Sequence, residues 1–229
     1  MATTLAIVHL YLLRHGQSHV NLTDLTATHR DSPLTDTGRE QAQRAAEYIS
    51  AEIEPDAIYA STVARAAETA TIVASECKRT VQSDDRLREI GTSYPDGRPI
   101  PEEKLSPYFP DVWGTLRPYQ PVTKDGESWM HFRSRVGSFV EMLVPARDRF
   151  GDPELAEQLG DTKVLIVCHA GVIEAIFEYV FEKGPWSVVA VQTNNAGITH
   201  LQYRPIPHFP DWWLHSHNNV GHLTKSLLT

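Results

Sequence analysis

Two arginines, two histidines and one glutamate, each lying just past an apolar run, are the residues of this chain best suited to handle phosphate. They stand in Leu12-Leu13-Arg14-His15-Gly16-Gln17-Ser18, Ser61-Thr62-Val63-Ala64-Arg65-Ala66, Leu87-Arg88-Glu89-Ile90 and Val167-Cys168-His169-Ala170-Gly171. An arginine presents a planar fork of donors that matches phosphate oxygens, which a lysine does not do. A histidine titrates near neutrality, so a useful fraction is unprotonated and can attack phosphorus. Gly16 lets the backbone turn close to a ligand beside His15. Phosphoryl transfer is mostly positioning and charge stabilisation, and paired guanidinium groups supply both. A carboxyl group such as Glu89 can protonate a departing alkoxide, provided its pKa is raised near the anionic phosphate.

Each residue also has a plainer reading. His15 and His169 could be satisfied core histidines, Arg65 a surface cation, and Glu89 a salt-bridge partner of Arg86 or Arg88. Their recurrence as a set favours the chemical reading. Arg65 stands in the first turn of an expected helix, where a cation opposes the helix dipole unless an anion lies there. His169 and Ala170 stand where a buried strand meets a helix start, whose N–H groups favour an anion.

Strand-length apolar runs occur at residues 8–13, 57–60, 164–168 and 198–203. Amphipathic stretches at 37–53, 63–76, 128–150 and 170–181 read as helices, the first with Thr37 and Glu40 spaced as a capping box. Such alternation predicts an α/β fold, a three-layer αβα sandwich with a mostly parallel central sheet. Ligands of such sheets sit beyond the carboxyl ends of the strands, where Arg14, His15, Ser61 and His169 all fall. No composition break splits the 229 residues, so a single domain is expected. Residues 94–124 are rich in proline and aromatics and read as an irregular insertion or lid. Arg98, Tyr108 and Trp113 within it are candidates for selecting the leaving group.

Together these motifs resemble the histidine phosphatase superfamily, branch 1, with its phosphoglycerate-mutase-like fold, and the likeness runs from the first strand to near Asn195. The resemblance implies a histidine acid-type phosphatase that hydrolyses a small phosphorylated metabolite with no metal and no cofactor. His15 would become phosphohistidine, Arg14, Arg65 and His169 would hold the phosphate, and Glu89 would be the general acid. Asn21 matches a phosphate-pocket asparagine, with Gln17 and Ser18 as weaker candidates for the same rim. Asp125-Gly126-Glu127-Ser128 resembles the turn opening the family's long helix, where capping explains Glu127 and Ser128 equally well. Asn195 reads as loop support. A cofactor-dependent phosphoglycerate mutase is the alternative. Mutases usually have a tyrosine-glycine-rich segment after the acid and glycine-asparagine after the second histidine. Here stand Ile90-Gly91-Thr92-Ser93-Tyr94 and Ala170-Gly171, departures that favour hydrolysis. A non-catalytic phosphate-binding module is a second alternative, opposed by the presence of all five residues.

Hydrophobic content of 41% and charged content of 22% are ordinary for a globular protein. A net charge of −8 without a basic stripe disfavours nucleic acid. No apolar run approaches the ~20 residues of a membrane span, and the start lacks a signal-peptide pattern. Cys77 and Cys168 suggest no disulfide framework, so a cytoplasmic location is expected and a homodimer is left open. His215, His217 and His222 invite a metal reading, but no cysteine or carboxylate cluster accompanies them, and a packed tail with Trp212 and Trp213 is expected.

Overall fold

The computed structural model describes residues 7–23, 31–110, 117–144, 161–181, 191–205 and 209–229. Six strands form one sheet: β1 (Ile7–Arg14), β2 (Ala57–Ala60), β3 (Val81–Ser83), β4 (Asp161–Cys168), β5 (Ile198–Tyr203) and β6 (Trp212–Asn219). Their order is β3-β2-β4-β1-β5-β6. The first four in that order run parallel, and β5 and β6 extend the sheet antiparallel. Helices α1 (Asp36–Tyr48) and α2 (Ala64–Cys77) cover one face, and α3 (Trp129–Leu143) and α4 (Ala170–Val180) the other. The molecule is thus an αβα sandwich around a mostly parallel sheet.

β1 lies between β4 and β5 and sends apolar side chains to both faces of the sheet. Val8, Leu10 and Leu12 point into the core shared with α3 and α4, while Leu13 points toward α1 and α2. Ala45 and Ala46 of α1 meet Ala66, Ala70 and Ala74 of α2, small side chains that let the two helices approach closely. On the other face Phe132, Val136, Phe139 and Val140 follow helical spacing and pack on Val172, Ile173 and Ile176. Each such fully buried side chain is worth about 1.5–3 kcal/mol.

Four sequence expectations change in detail. The first helix is capped by Thr35, whose hydroxyl accepts from Gly38 N, so Thr37 lies inside the first turn and does not cap it. That helix passes into a π turn at Ile49–Ile53, ending at Glu54 with φ 53°. α3 begins as expected at the Ser128 cap and closes at Leu143; residues 145–150 lie outside those described. The tail is partly a strand. β6 carries His215 and His217, with Trp212 packed on Tyr203 and Trp213 exposed. Their ring nitrogens serve separate partners: His215 meets Gln202, and His217 meets Thr199 and the Gln192 carbonyl. His222 stacks on Tyr48.

Candidate active site

The pocket follows from strand order. β2, β4 and β1 are neighbours, so their carboxyl ends bring Ser61, His169, Arg14 and His15 together. Backbone bonds from Ser61 N to Val167 O and from His15 N to Cys168 O continue the sheet into the site.

His15 is buried, and its Nδ1 lies 2.7 Å from the Gly16 carbonyl oxygen. A carbonyl only accepts, so the proton belongs on Nδ1 and the lone pair on Nε2. That Nε2 faces Arg65 Nε at 3.0 Å. Burial, then Arg65 and Arg14, holds the imidazole well below its ordinary pKa, so it stays neutral. Ser61 Oγ accepts from Val63 N at 3.2 Å and shares a hydrogen bond with His169 Nε2 at 2.8 Å, for which the hydroxyl can serve as donor or acceptor. His169 Nδ1 is a buried atom without a partner among the described residues. The two imidazole rings meet edge to face with centroids 5.1 Å apart.

Arg14 donates to the Thr193 carbonyl, while its buried Nε has no partner among the described residues. Burial lowers the pKa of both Arg14 and Arg65, and the Glu89 carboxylate acts against that shift. Glu89 reaches across to the start of α4, where Gly171 N donates to Oε2 at 3.3 Å and Ile90 N donates to Oε1 at 2.9 Å. A Cβ on Gly171 would lie 2.4 Å from Glu89 Oε1, so the glycine makes this approach possible. Ala170 opens that helix and is half-buried.

The remaining rim candidates brace the loop after β1. Asn21 Oδ1 accepts from Ser18 N, Ser18 Oγ and Asn195 Nδ2. Asn195 Nδ2 also donates to the His15 carbonyl. Gln17 Oε1 accepts from the Thr35 hydroxyl. The helix misfit of Arg65 also has a local answer that sequence reasoning missed. Asp31 accepts from Ala64 N at 2.9 and 3.1 Å and lies 3.9 Å from Arg65.

Arg135, also missed, is buried and paired with Glu127 at 2.6 Å. It donates to the carbonyls of Arg86, Arg88 and Glu89, pinning the backbone that carries the acid candidate. Glu127 is thus an ion-pair partner, and Ser128 is the helix cap. An arginine on the apolar stripe Phe132, Val136, Phe139 was the available signal.

In the insertion, Tyr108 is buried, with Glu89 and Arg65 near enough to act on its hydroxyl. It is a core side chain whose hydroxyl donates to the Ile90 carbonyl at 2.6 Å. Arg98 pairs with Asp96 at the surface, Phe109 and Tyr119 are exposed, and Trp113 lies outside the described residues.

A model of the histidine phosphatase superfamily (branch 1) matches residues 10–218, and the chain belongs to that family. It is 31% identical over 171 residues to phosphoglycerate mutase-like protein 4 of Arabidopsis thaliana, covering 74% of this chain and 69% of that one. It is 26% identical to the adenosylcobalamin/alpha-ribazole phosphatase of Escherichia coli (strain K12), covering 87% and 98%. Its fold is similar to that of a solved structure, mycobacterial hydrolase 2, with TM-score 0.71, 25% identity, and 96% and 94% of the two chains covered. No helix among the described residues is long and apolar enough to cross a membrane.

Proposed function

We propose that this protein is an acid-type histidine phosphatase that hydrolyses a small phosphomonoester through a phosphohistidine at His15. The carrying observation is the His15 imidazole, its proton fixed on Nδ1 by the Gly16 carbonyl and its Nε2 facing a buried arginine fork. In the first step Nε2 forms a bond to phosphorus as the ester P–O bond breaks. Glu89, a carboxylate in the free enzyme, takes up a proton from solvent as the phosphomonoester binds and gives it to the leaving oxygen. In the second step water attacks phosphorus, its proton passes to the Glu89 carboxylate, and the N–P bond breaks to release orthophosphate. Arg14, Arg65 and His169, with its proton on Nδ1, bind the equatorial oxygens throughout, a preorganised set of buried donors. Two of these donors, Arg14 Nε and His169 Nδ1, are buried and unpartnered among the described residues, as a bound oxyanion requires.

The acid-type assignment rests on His15 being held neutral well below ordinary histidine values. Protonation of the nucleophile then leaves the neutral and mildly acidic range untouched. The test is the pH dependence of kcat/KM on a phosphomonoester panel that includes 3-phosphoglycerate. An acid limb near the ordinary histidine value would overturn it, and transfer to a second phosphoglycerate in place of water would identify a mutase.

The segment at 94–124 follows Glu89 and is anchored through Tyr108, with Arg98, Phe109 and Tyr119 at its surface. It serves as the leaving-group rim. The two cysteines are unpaired, which suits a cytoplasmic location.

A further inference from the structure

Behind the nucleophile runs a second chain of hydrogen bonds that the two-step chemistry above does not use. Gly16 O accepts from His15 Nδ1, and the N–H of the same peptide group, on Gln17, donates to Gln41 Oε1 at 2.7 Å. A peptide group is planar, so fixing its N–H fixes the direction of its carbonyl. Gln41 is fully buried on α1. Its amide can be read only one way round, because Nε2 donates to the Leu227 carbonyl at 2.7 Å and to Thr229 Oγ1 at 2.9 Å. Leu227 is itself buried. Thr229 is tied in turn to the other brace of the loop: its hydroxyl donates to Asn195 Oδ1 at 3.3 Å, and Asn195 N donates to its carbonyl at 3.3 Å. Asn195 Nδ2 holds the His15 carbonyl.

We propose that Gln41 is a positioning residue for His15, acting through the Gly16–Gln17 peptide plane, and that residues 227–229 hold Gln41 in its working orientation. The inference rests on His15 being the nucleophile for its kinetic consequence, though not for its structural one. Without the Leu227 and Thr229 acceptors the amide of Gln41 is free to flip and present Nε2 to Gln17 N. Donor would then face donor, the peptide plane would turn, and the imidazole would lose the acceptor that fixes its tautomer.

The test compares wild type with Gln41→Leu, Gln41→Glu and a chain shortened by residues 227–229. Two readouts are taken: the rate of phosphoenzyme formation on rapid mixing with an activated phosphomonoester, and the imidazole N–H resonance of His15 in the protein labelled with nitrogen-15. Gln41→Leu and the shortened chain should form phosphoenzyme about 10- to 100-fold more slowly, the cost of a misplaced reacting group. Affinity for vanadate, which Arg14 and Arg65 bind, should change little. The His15 Nδ1–H signal should broaden or vanish in both. Gln41→Glu retains the acceptor for Gln17 N but needs a proton to donate to Leu227 O, so its rate should recover as pH falls.

A wild-type rate and an unchanged His15 resonance in folded Gln41→Leu would overturn the proposal. If that variant fails to fold, the same two results in the shortened chain or in Gln41→Glu at high pH would overturn it. A lost resonance with an unchanged rate would instead remove His15 as the nucleophile and leave the positioning intact.

Discussion

Gly171→Ala isolates the proposed acid, Glu89, from the rest of the machinery, because one methyl group is aimed at one carboxylate. The added Cβ would lie 2.4 Å from Glu89 Oε1, whereas ordinary contact begins near 3.4 Å. The carboxylate must therefore retreat by about 1 Å and give up its bond from Gly171 N, a misplacement that costs on the order of 100-fold in rate. In barrier terms that is about 2.7 kcal/mol. The fold should survive, since alanine is favoured over glycine in a helix by up to about 1 kcal/mol. Proton donation matters in proportion to the basicity of the leaving group. The assay is kcat/KM, which reports steps up to phosphoenzyme formation, on an alkyl phosphate and on p-nitrophenyl phosphate. The alkyl ester should lose the full factor while the activated aryl ester loses little, with vanadate affinity preserved. An equal loss on both esters with vanadate affinity preserved would refute Glu89 as the acid, whereas a weakened vanadate affinity would show that the methyl group disturbs the phosphate pocket itself.

His15→Ala should abolish acid-labile, base-stable phosphoenzyme labelling and lower turnover by at least about 10³-fold while leaving a cooperative unfolding transition; near-normal turnover refutes the nucleophile assignment. Activity should survive a chelator and be inhibited by vanadate, and activity restored only by a divalent ion would refute the metal-independent mechanism. Arg98→Ala and Tyr119→Ala should lower kcat/KM on bulky esters and spare a small activated one, so a uniform loss on both makes the segment a structural prop. Burial, with His215 and His9 nearby, holds His200 down at about 4, below its unfolded value near 6.5. Its neutral form therefore stabilises the fold above that unfolded value. Stability should fall as pH drops from about 6.5 to 4, and His200→Gln should flatten that window in denaturant titrations at stepped pH.

The sheet's centre was legible in sequence because β1, β2 and β4 are buried strands that write their burial as apolar runs, while β5 places Ile198, Leu201 and Tyr203 at buried positions. β3 and β6 lie at the sheet's edges. Only Val81 of β3 is apolar, and five of the eight residues of β6 are polar, so neither carries a periodic signal. Part of the candidate site was legible for a related reason: Arg14, His15 and His169 interrupt apolar runs at the points where β1 and β4 end, while Arg65 lies at a helix start and Glu89 just past a 3-10 turn. The braces were not, because their function is carried by backbone partners far away in sequence. Gln41 among alanines and Arg135 among aromatics could have been flagged as polar residues on buried helix faces. Their partners at Gln17, Leu227 and the 86–89 carbonyls could not, since nothing local specifies them. Tyr108 misled in the opposite direction: its neighbours look like a surface loop, but its ring packs in the core and its hydroxyl serves Ile90.

The helix starts at the pocket explain how a chain with net charge −8 can bind an anion. An anion is ordinarily drawn to a helix N-terminus, but both starts here already meet a carboxylate. Asp31 takes the N–H of Ala64 at the head of α2, and Glu89 takes that of Gly171 at the head of α4. In the proposed mechanism the charge of a bound phosphoryl group therefore falls to Arg14, Arg65 and the imidazoles, and the dipoles are left to hold the two acids in place. This division keeps two buried cations beside each other, with Glu89 and Asp31 offsetting the desolvation of Arg65. It also gives Glu89 a reason to stand near the cations before any substrate arrives. Its carboxylate helps Arg14 and Arg65 keep their charge, and in the proposed mechanism the same oxygens then face the departing group.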